Sequence, residues 1–256
     1  MSDIQCETEG AVLCVAINRP EKKNALTAEM YDALAGAVEG GEANPAVRVM
    51  LLRASGDSFT AGNDLFDFLQ KPWSGQPMPP AVRFIRSVAY AKKPIVAAVQ
   101  GVAVGVGVTI LLHCDLVYAA EGAKFMMPFV DLGIVPEAAS TLLLPAFMGH
   151  QRAAELLMLG APFSAQRAYE LGLVNAVVAP YNLFATASQA AHRLAEKPWG
   201  ALLACKRLMR RASQPAVDRA LREEVDEIRV RLDSPETKEA LTAFVEKRKP
   251  DFSKYR

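Results

Sequence analysis

The chain has 256 residues and a formal net charge of +1, which suits one large domain, or one domain with an appendage, and gives no basis for a nucleic-acid or anionic-membrane partner. The four cysteines (Cys6, Cys14, Cys114, Cys205) form no CxxC pair, and the three histidines (His113, His150, His192) have no metal-ligand spacing. We therefore expect reduced thiols and no metal. The opening MSDIQCETEG is polar, without the apolar core of a signal peptide, and no apolar run reaches the ~18 residues of a membrane span. A cytoplasmic protein is expected.

In chain order, residues 4–9 and 12–18 flank Gly10 and read as a hairpin. Residues 18–24 form a polar, basic loop. Its Lys22 and Lys23 suit either phosphate contact or plain solvation. Thr27 is a candidate N-cap for a helix to about Gly40, with Met30, Leu34, Ala37 and Val38 as its apolar stripe. Residues 47–52 read as a strand and 55–58 as a turn. Ala61-Gly62-Asn63 follows, where a glycine lets the backbone approach a ligand closely. Residues 65–80 look irregular and Pro-rich, a surface loop or a lid, with Trp73 and Met78 either near a substrate or simply exposed. A helix is predicted over 81–91, with Val82, Ile85, Val88 and Ala89 inward.

Residues 95–99 form an uninterrupted apolar run bounded by Pro94 and Gly101, the pattern of a buried strand. Gly101, Gly105 and Gly107 follow, then an apolar segment over 108–112 that suits a buried helix. A strand, a glycine-rich turn and a helix start present free backbone N–H groups at one point. Such a point binds an anion or stabilises an oxyanion, or its glycines serve close packing alone. Residues 125–132 read as a strand entering a loop. Glu137 is a lone carboxylate among apolar neighbours, either a helix-start residue reaching solvent or a catalytic base. Asp131, in the preceding loop, reads as structural. Helices are expected over 151–159 and 164–171, the second capped by Ser164, and a strand over 174–178. Past Pro198 and Gly200 the composition shifts to charged amphipathic helices over 202–211 and 217–232, with Ser234 opening a last one. Glu227 and Arg231 are spaced to pair on one of them.

Five segments in order and at matching spacing give the chain its resemblance: residues 18–26 (NRPEKKNAL), 59–65 (FTAGNDL), 100–107 (QGVAVGVG), 114–120 (CDLVYAA) and 128–140 (PFVDLGIVPEAAS). Together they resemble the crotonase (enoyl-CoA hydratase/isomerase) superfamily over nearly the whole chain. The resemblance implies an α/β fold with a spiral ββα core over residues 1–198. It also implies a helical oligomerisation segment over 199–256 that completes a homotrimer or a hexamer of two trimers. It implies an acyl-CoA thioester as substrate, with no permanently bound cofactor. The backbone N–H groups of Asn63 and Val106 would form the oxyanion hole. The backbone around Ala61 and Asp64 would face adenine, and Lys22, Phe244 and Lys247 would lie against coenzyme A.

Two departures matter. Val106 stands where the family usually has the middle glycine of the turn. Thr109 and Phe129 stand where hydratases carry their two glutamates, which leaves Glu137 at the position of the base in single-carboxylate Δ3,Δ2-enoyl-CoA isomerases. The expected function is therefore an enoyl-CoA isomerase moving a double bond from position 3 to 2. The alternatives are a hydratase or other single-carboxylate acyl-CoA reaction, and a non-catalytic acyl-CoA-binding protein.

Overall fold

A computed structural model of the chain describes residues 2–70 and 78–255. β1 (Ile4–Glu9) and β2 (Val12–Ile17) form the predicted hairpin. α1 (Ala28–Ala43) begins at Thr27, whose hydroxyl accepts from Met30 N at 3.3 Å. β3 (Val49–Ala54), α2 (Leu65–Gln70) and α3 (Pro80–Ala89) precede β4 (Ile95–Val99), β5 (Val102–Val104) and the single turn α4 (Val106–Thr109). β6 (Leu116–Ala120) and β7 (Lys124–Met126) lead to α5 (Ser140–Met148) and α6 (His150–Leu159). β8 (Phe163–Ser164), α7 (Ala165–Glu170), β9 (Ala176–Val178) and α8 (Leu183–Ala195) follow. The C-terminal helices are α9 (Trp199–Arg211), α10 (Gln214–Leu232) and α11 (Pro235–Val245).

Among the described residues, six strands form a sheet in the order β1-β2-β3-β4-β6-β9, parallel throughout except for the β1–β2 hairpin. A parallel sheet needs cover on both faces, and the alternation of side chains supplies two cores. Met50, Leu52, Ile95, Ala97 and Val99 face the main core with α1 and α3. Val49, Leu51, Val96 and Ala98 face α8 through Leu183, Ala187 and Ala191. The second sheet, β5-β7-β8, stands beside the first and carries the turn into α4. Val217, Leu221 and Ile228 of α10 join the main core, so this helix closes over the same interior as the strands. Among the described residues no helix is long and apolar enough to cross a membrane.

Several expectations are corrected. The stretch 65–80 is not irregular from its start. Asp64 accepts from Phe66 N (3.1 Å) and Asp67 N (3.3 Å), which nucleates α2. Trp73 lies outside the described residues, and Met78 is half-exposed. The apolar segment 108–112 continues α4 as a 3-10 turn over Ile110–His113 rather than as a longer α-helix. Residues 125–132 are only briefly a strand and end in another 3-10 turn, Val130–Leu132. No helix was expected over 140–148, where α5 forms with Pro145 in its interior. The missing N–H of this proline costs one bond.

Candidate active site

The loop 18–24 is held from within. Asn24 is fully buried and donates to Ser55 O and Ser58 O at 2.8 and 2.7 Å. Arg19 bonds Ala25 O at 2.9 Å and pairs with the Asp64 carboxylate at 2.8 Å. The Asp64 side chain is thus a structural clamp. The segment 61–64 runs beside 23–26 as a short parallel ladder: Ala61 N donates to Lys23 O, Leu26 N to Gly62 O and Asp64 N to Leu26 O. Those bonds use the N–H groups of Ala61 and Asp64. The N–H of Asn63, between them, has no acceptor among the described residues. Gly62 makes this path possible, because at its φ of 86° a Cβ would stand 2.9 Å from Val104 O. The Asn63 side chain is fixed as well: its Oδ1 accepts the buried hydroxyl of Tyr31 from α1.

The second turn is stitched to the first by a parallel bridge between Thr60 and Ala103, with Thr60 N donating to Val102 O and Val104 N to Thr60 O. Gly105 then takes φ 55°, ψ −117°, a conformation open only to glycine, and α4 starts at Val106. The N–H groups of Val106 and Gly107 have no acceptor among the described residues, as expected for the first turn of a helix. The substitution of valine for glycine at 106 therefore keeps the donor. Its side chain is buried with Leu26, Phe59 and Phe84 around a small internal cavity. Two turns, each with a free N–H, thus lie side by side.

Glu137 is 4% exposed, and its Oε1 has no hydrogen-bond partner among the described residues. Burial, reinforced by the negative charge of Glu224, pushes its carboxyl up to about 8. A helix start does not oppose this, because Glu137 is not in the first turn of α5. Ala138 and Ala139 follow it with φ of 61° and 55°, and α5 begins only at Ser140. The N–H groups at that helix start belong to another carboxylate. Glu224 of α10 accepts from Ala139 N (2.6 Å), Thr141 N (3.1 Å) and Thr141 Oγ1 (2.6 Å). It too is raised, to about 7, by burial against these opposing bonds. On the other side of the turn, His113 Nε2 donates to Ala138 O at 2.8 Å. Burial holds this imidazole down at about 4, so it is neutral near pH 7. Tyr31 rises well above the usual phenol range, by burial first and then by the Glu137 charge, and stays a donor.

Of the residues expected at the site, Asn63, Ala61, Asp64 and Val106 fall on the two bridged turns. Glu137 lies on a separate turn before α5, and Tyr31, which bonds Asn63 and feels the Glu137 charge, stands between the two. Thr109 and Phe129 are both buried. Thr109 Oγ1 has no partner among the described residues, and Phe129 packs on the face of Gly105. Lys22 is exposed on the 18–24 loop, and Lys247 is exposed past the end of α11 with φ 55°. Phe244 is half-exposed and its ring meets Phe66 of α2 at 6.3 Å. Tyr31, His113 and Glu224 were missed. Glu224 did carry a signal: it sits in register with Val217, Leu221 and Ile228, a carboxylate on the apolar stripe of a charged helix. Among the described residues no group of three or more His, Cys, Asp or Glu could hold a metal ion.

The family model described as enoyl-CoA hydratase/isomerase matches residues 7–255. The chain is 37% identical to 1,2-epoxyphenylacetyl-CoA isomerase of Escherichia coli (strain K12), covering 99% of each. It is 34% identical to crotonyl-CoA hydratase of Syntrophomonas wolfei, covering 98% of this chain and 97% of the relative. The crystal structure of an enoyl-CoA hydratase/isomerase from Pseudoalteromonas atlantica T6c superposes with a TM-score of 0.94 at 41% identity, covering 98% of this chain and all of that one. The chain is therefore a member of the enoyl-CoA hydratase/isomerase, or crotonase, family.

Proposed function

We propose that the protein is an enoyl-CoA isomerase that moves a double bond from position 3 to position 2 of an acyl-CoA thioester. The single observation that carries this is Glu137: a buried carboxylate, raised to about 8, with one oxygen free of partners, while Thr109 and Phe129 occupy the two hydratase positions. In this reading Glu137 takes a proton from C2. The electron pair moves onto the thioester oxygen, which accepts from Asn63 N–H and Val106 N–H. Each donor contributes on the order of 3–4 kcal/mol to the barrier reduction. The protonated Glu137 then returns the proton at C4, the double bond re-forms between C2 and C3, and the carboxylate is regenerated.

Coenzyme A lies along the backbone of Ala61 and Asp64, with Lys22, Phe244 and Lys247 at its outer parts. The helices over 199–256 form the interface of a trimer or hexamer. Leu208 and Met209 of α9, exposed at 56% and 69%, support an interface there. A second reading, hydration, draws on the buried Thr109 and Ser140 hydroxyls, which have no partner among the described residues and offer sites for a water. The test is the wild-type enzyme given a 3-enoyl-CoA and a 2-enoyl-CoA in parallel. Isomerisation should be the faster reaction by at least ~10-fold. Faster hydration would replace this reading with the second.

A further inference from the structure

Glu137 opens onto a cavity of about 190 Å³ between α3 and α10. Its walls are Val82 and Ile85 on one side and Leu221 and Val225 on the other. None of the elements that the proposed function gives to coenzyme A lines it: not the 18–24 loop, the 61–64 turn or the end of α11. Glu137 is the proposed catalytic residue that lines it, so the cavity lies beside the proposed base and away from the elements given to coenzyme A.

The charge around this space is one-sided. Among the described residues, Arg86 on α3, and Arg222 and Arg229 on α10, line the cavity, against the carboxylate of Asp226 besides Glu137. Asp226 is already engaged by Arg229 at 3.7 Å. Among the described residues no carboxylate lies within ion-pair distance of Arg86 or Arg222. Arg86 stacks its guanidinium on Tyr90 at 5.4 Å, which steadies the plane of the group and leaves its charge unneutralised. A methyl-ended chain gains nothing from guanidinium groups at its far end and partly desolvates them. A carboxylate there is matched by the planar donor fork of arginine.

We infer that the cavity beside Glu137 selects an acyl group that ends in a carboxylate, with Arg86 and Arg222 as its specificity determinants. The apolar walls hold the methylenes and the guanidinium groups hold the terminus. A straight six-carbon dicarboxylic acyl chain, with C5 and the C6 carboxylate beyond the reacting carbons, is the probe for this terminus. The inference rests on the thioester placement given under Proposed function, but not on the double-bond shift.

The experiment therefore uses saturated, unreactive thioesters. Calorimetry on the full chain compares the CoA thioester of a six-carbon dicarboxylic acid with that of the six-carbon monocarboxylic acid, at low and high salt. The dicarboxylic thioester should bind at least ~10-fold more tightly at low salt, with the margin narrowing as salt screens the pairing. In the double variant Arg86→Gln/Arg222→Gln the ratio should collapse to within ~2-fold. Equal binding of the two thioesters by the wild type, or an unchanged ratio in the double variant, overturns the inference. Failure of both thioesters to bind overturns it together with the thioester placement. A preserved ratio in Glu137→Gln, with no isomerisation by the wild type, upholds the inference and overturns only the proposed reaction.

Discussion

Glu224 holds the turn from which Glu137 projects. Its two oxygens take the Ala139 and Thr141 N–H groups and the Thr141 hydroxyl, so the start of α5 is capped from α10 rather than by a residue of its own. Two left-handed alanines stand between Glu137 and that cap, a conformation that costs on the order of 1 kcal/mol or more per residue and persists only where the surroundings fix it. The same carboxylate raises Glu137 by repulsion. Glu224 thus holds the turn that carries Glu137 and adds to the rise that burial gives its carboxyl.

Glu224→Gln should move the acidic limb of the kcat/KM profile to lower pH, because one of the two causes that raise Glu137 is removed. Glu224→Ala should also lower kcat, by about 10-fold, through loss of the turn. A fall in rate for both variants with the limb unmoved would reduce Glu224 to a structural cap.

Stability should report the same carboxyl. The folded value of Glu137, about 8, lies above an unfolded value near 4.5, so the folded state keeps a proton that the unfolded state releases. The stability that this neutral carboxyl contributes is full below about pH 4.5 and is lost as pH rises through about 8. Glu137→Gln stays neutral throughout. Its melting temperature should gain on the wild type between pH 5 and 9, by at least ~3 °C. A difference that does not vary with pH would contradict the burial of an ionisable group here.

Val106 offers a way to remove a backbone donor. It is the first residue of α4, where proline is tolerated because that N–H has no intrahelical acceptor. Val106→Pro should lower kcat by ~10² or more with little change in melting temperature. Wild-type rates in a folded Val106→Pro enzyme would take Val106 out of the oxyanion hole.

The coenzyme A contacts are tested at Lys22 and Lys247. Each changed to Ala should weaken binding of free coenzyme A by a few-fold and flatten its salt dependence. Calorimetric curves that superpose on the wild type for both variants would move the phosphates elsewhere.

What the sequence made legible follows the physics of each segment. β4 announces itself as five apolar residues between Pro94 and Gly101, because a parallel strand buried on both faces has no polar side to show. Thr27, Ser164 and Ser234 each cap a helix as an N-cap residue should. α5 and the start of α2 were hidden because their ends are set at a distance or by a neighbouring loop. α5 carries an internal proline and takes its cap from Glu224, while α2 takes its cap from Asp64. At the site, Glu137 stood out as a carboxylate in apolar surroundings. His113 and Tyr31 did not, since a buried histidine bonded to a carbonyl and a buried tyrosine bonded to an amide look like any packed residue until the chain is folded.

The proton transfer itself is the claim on which the account turns, and one measurement reaches it directly: isomerisation of a 3-enoyl-CoA by Glu137→Gln beside the wild type, with coenzyme A binding measured on the same samples. Gln keeps the shape of the side chain and cannot take a proton. The rate should fall by at least ~10² while coenzyme A affinity stays within ~2-fold, since the contacts proposed for it lie on other segments. Wild-type isomerisation by the Gln variant would show that another group, Asp131 or a solvent-derived base, removes the proton, and Glu137 would lose its place as the base.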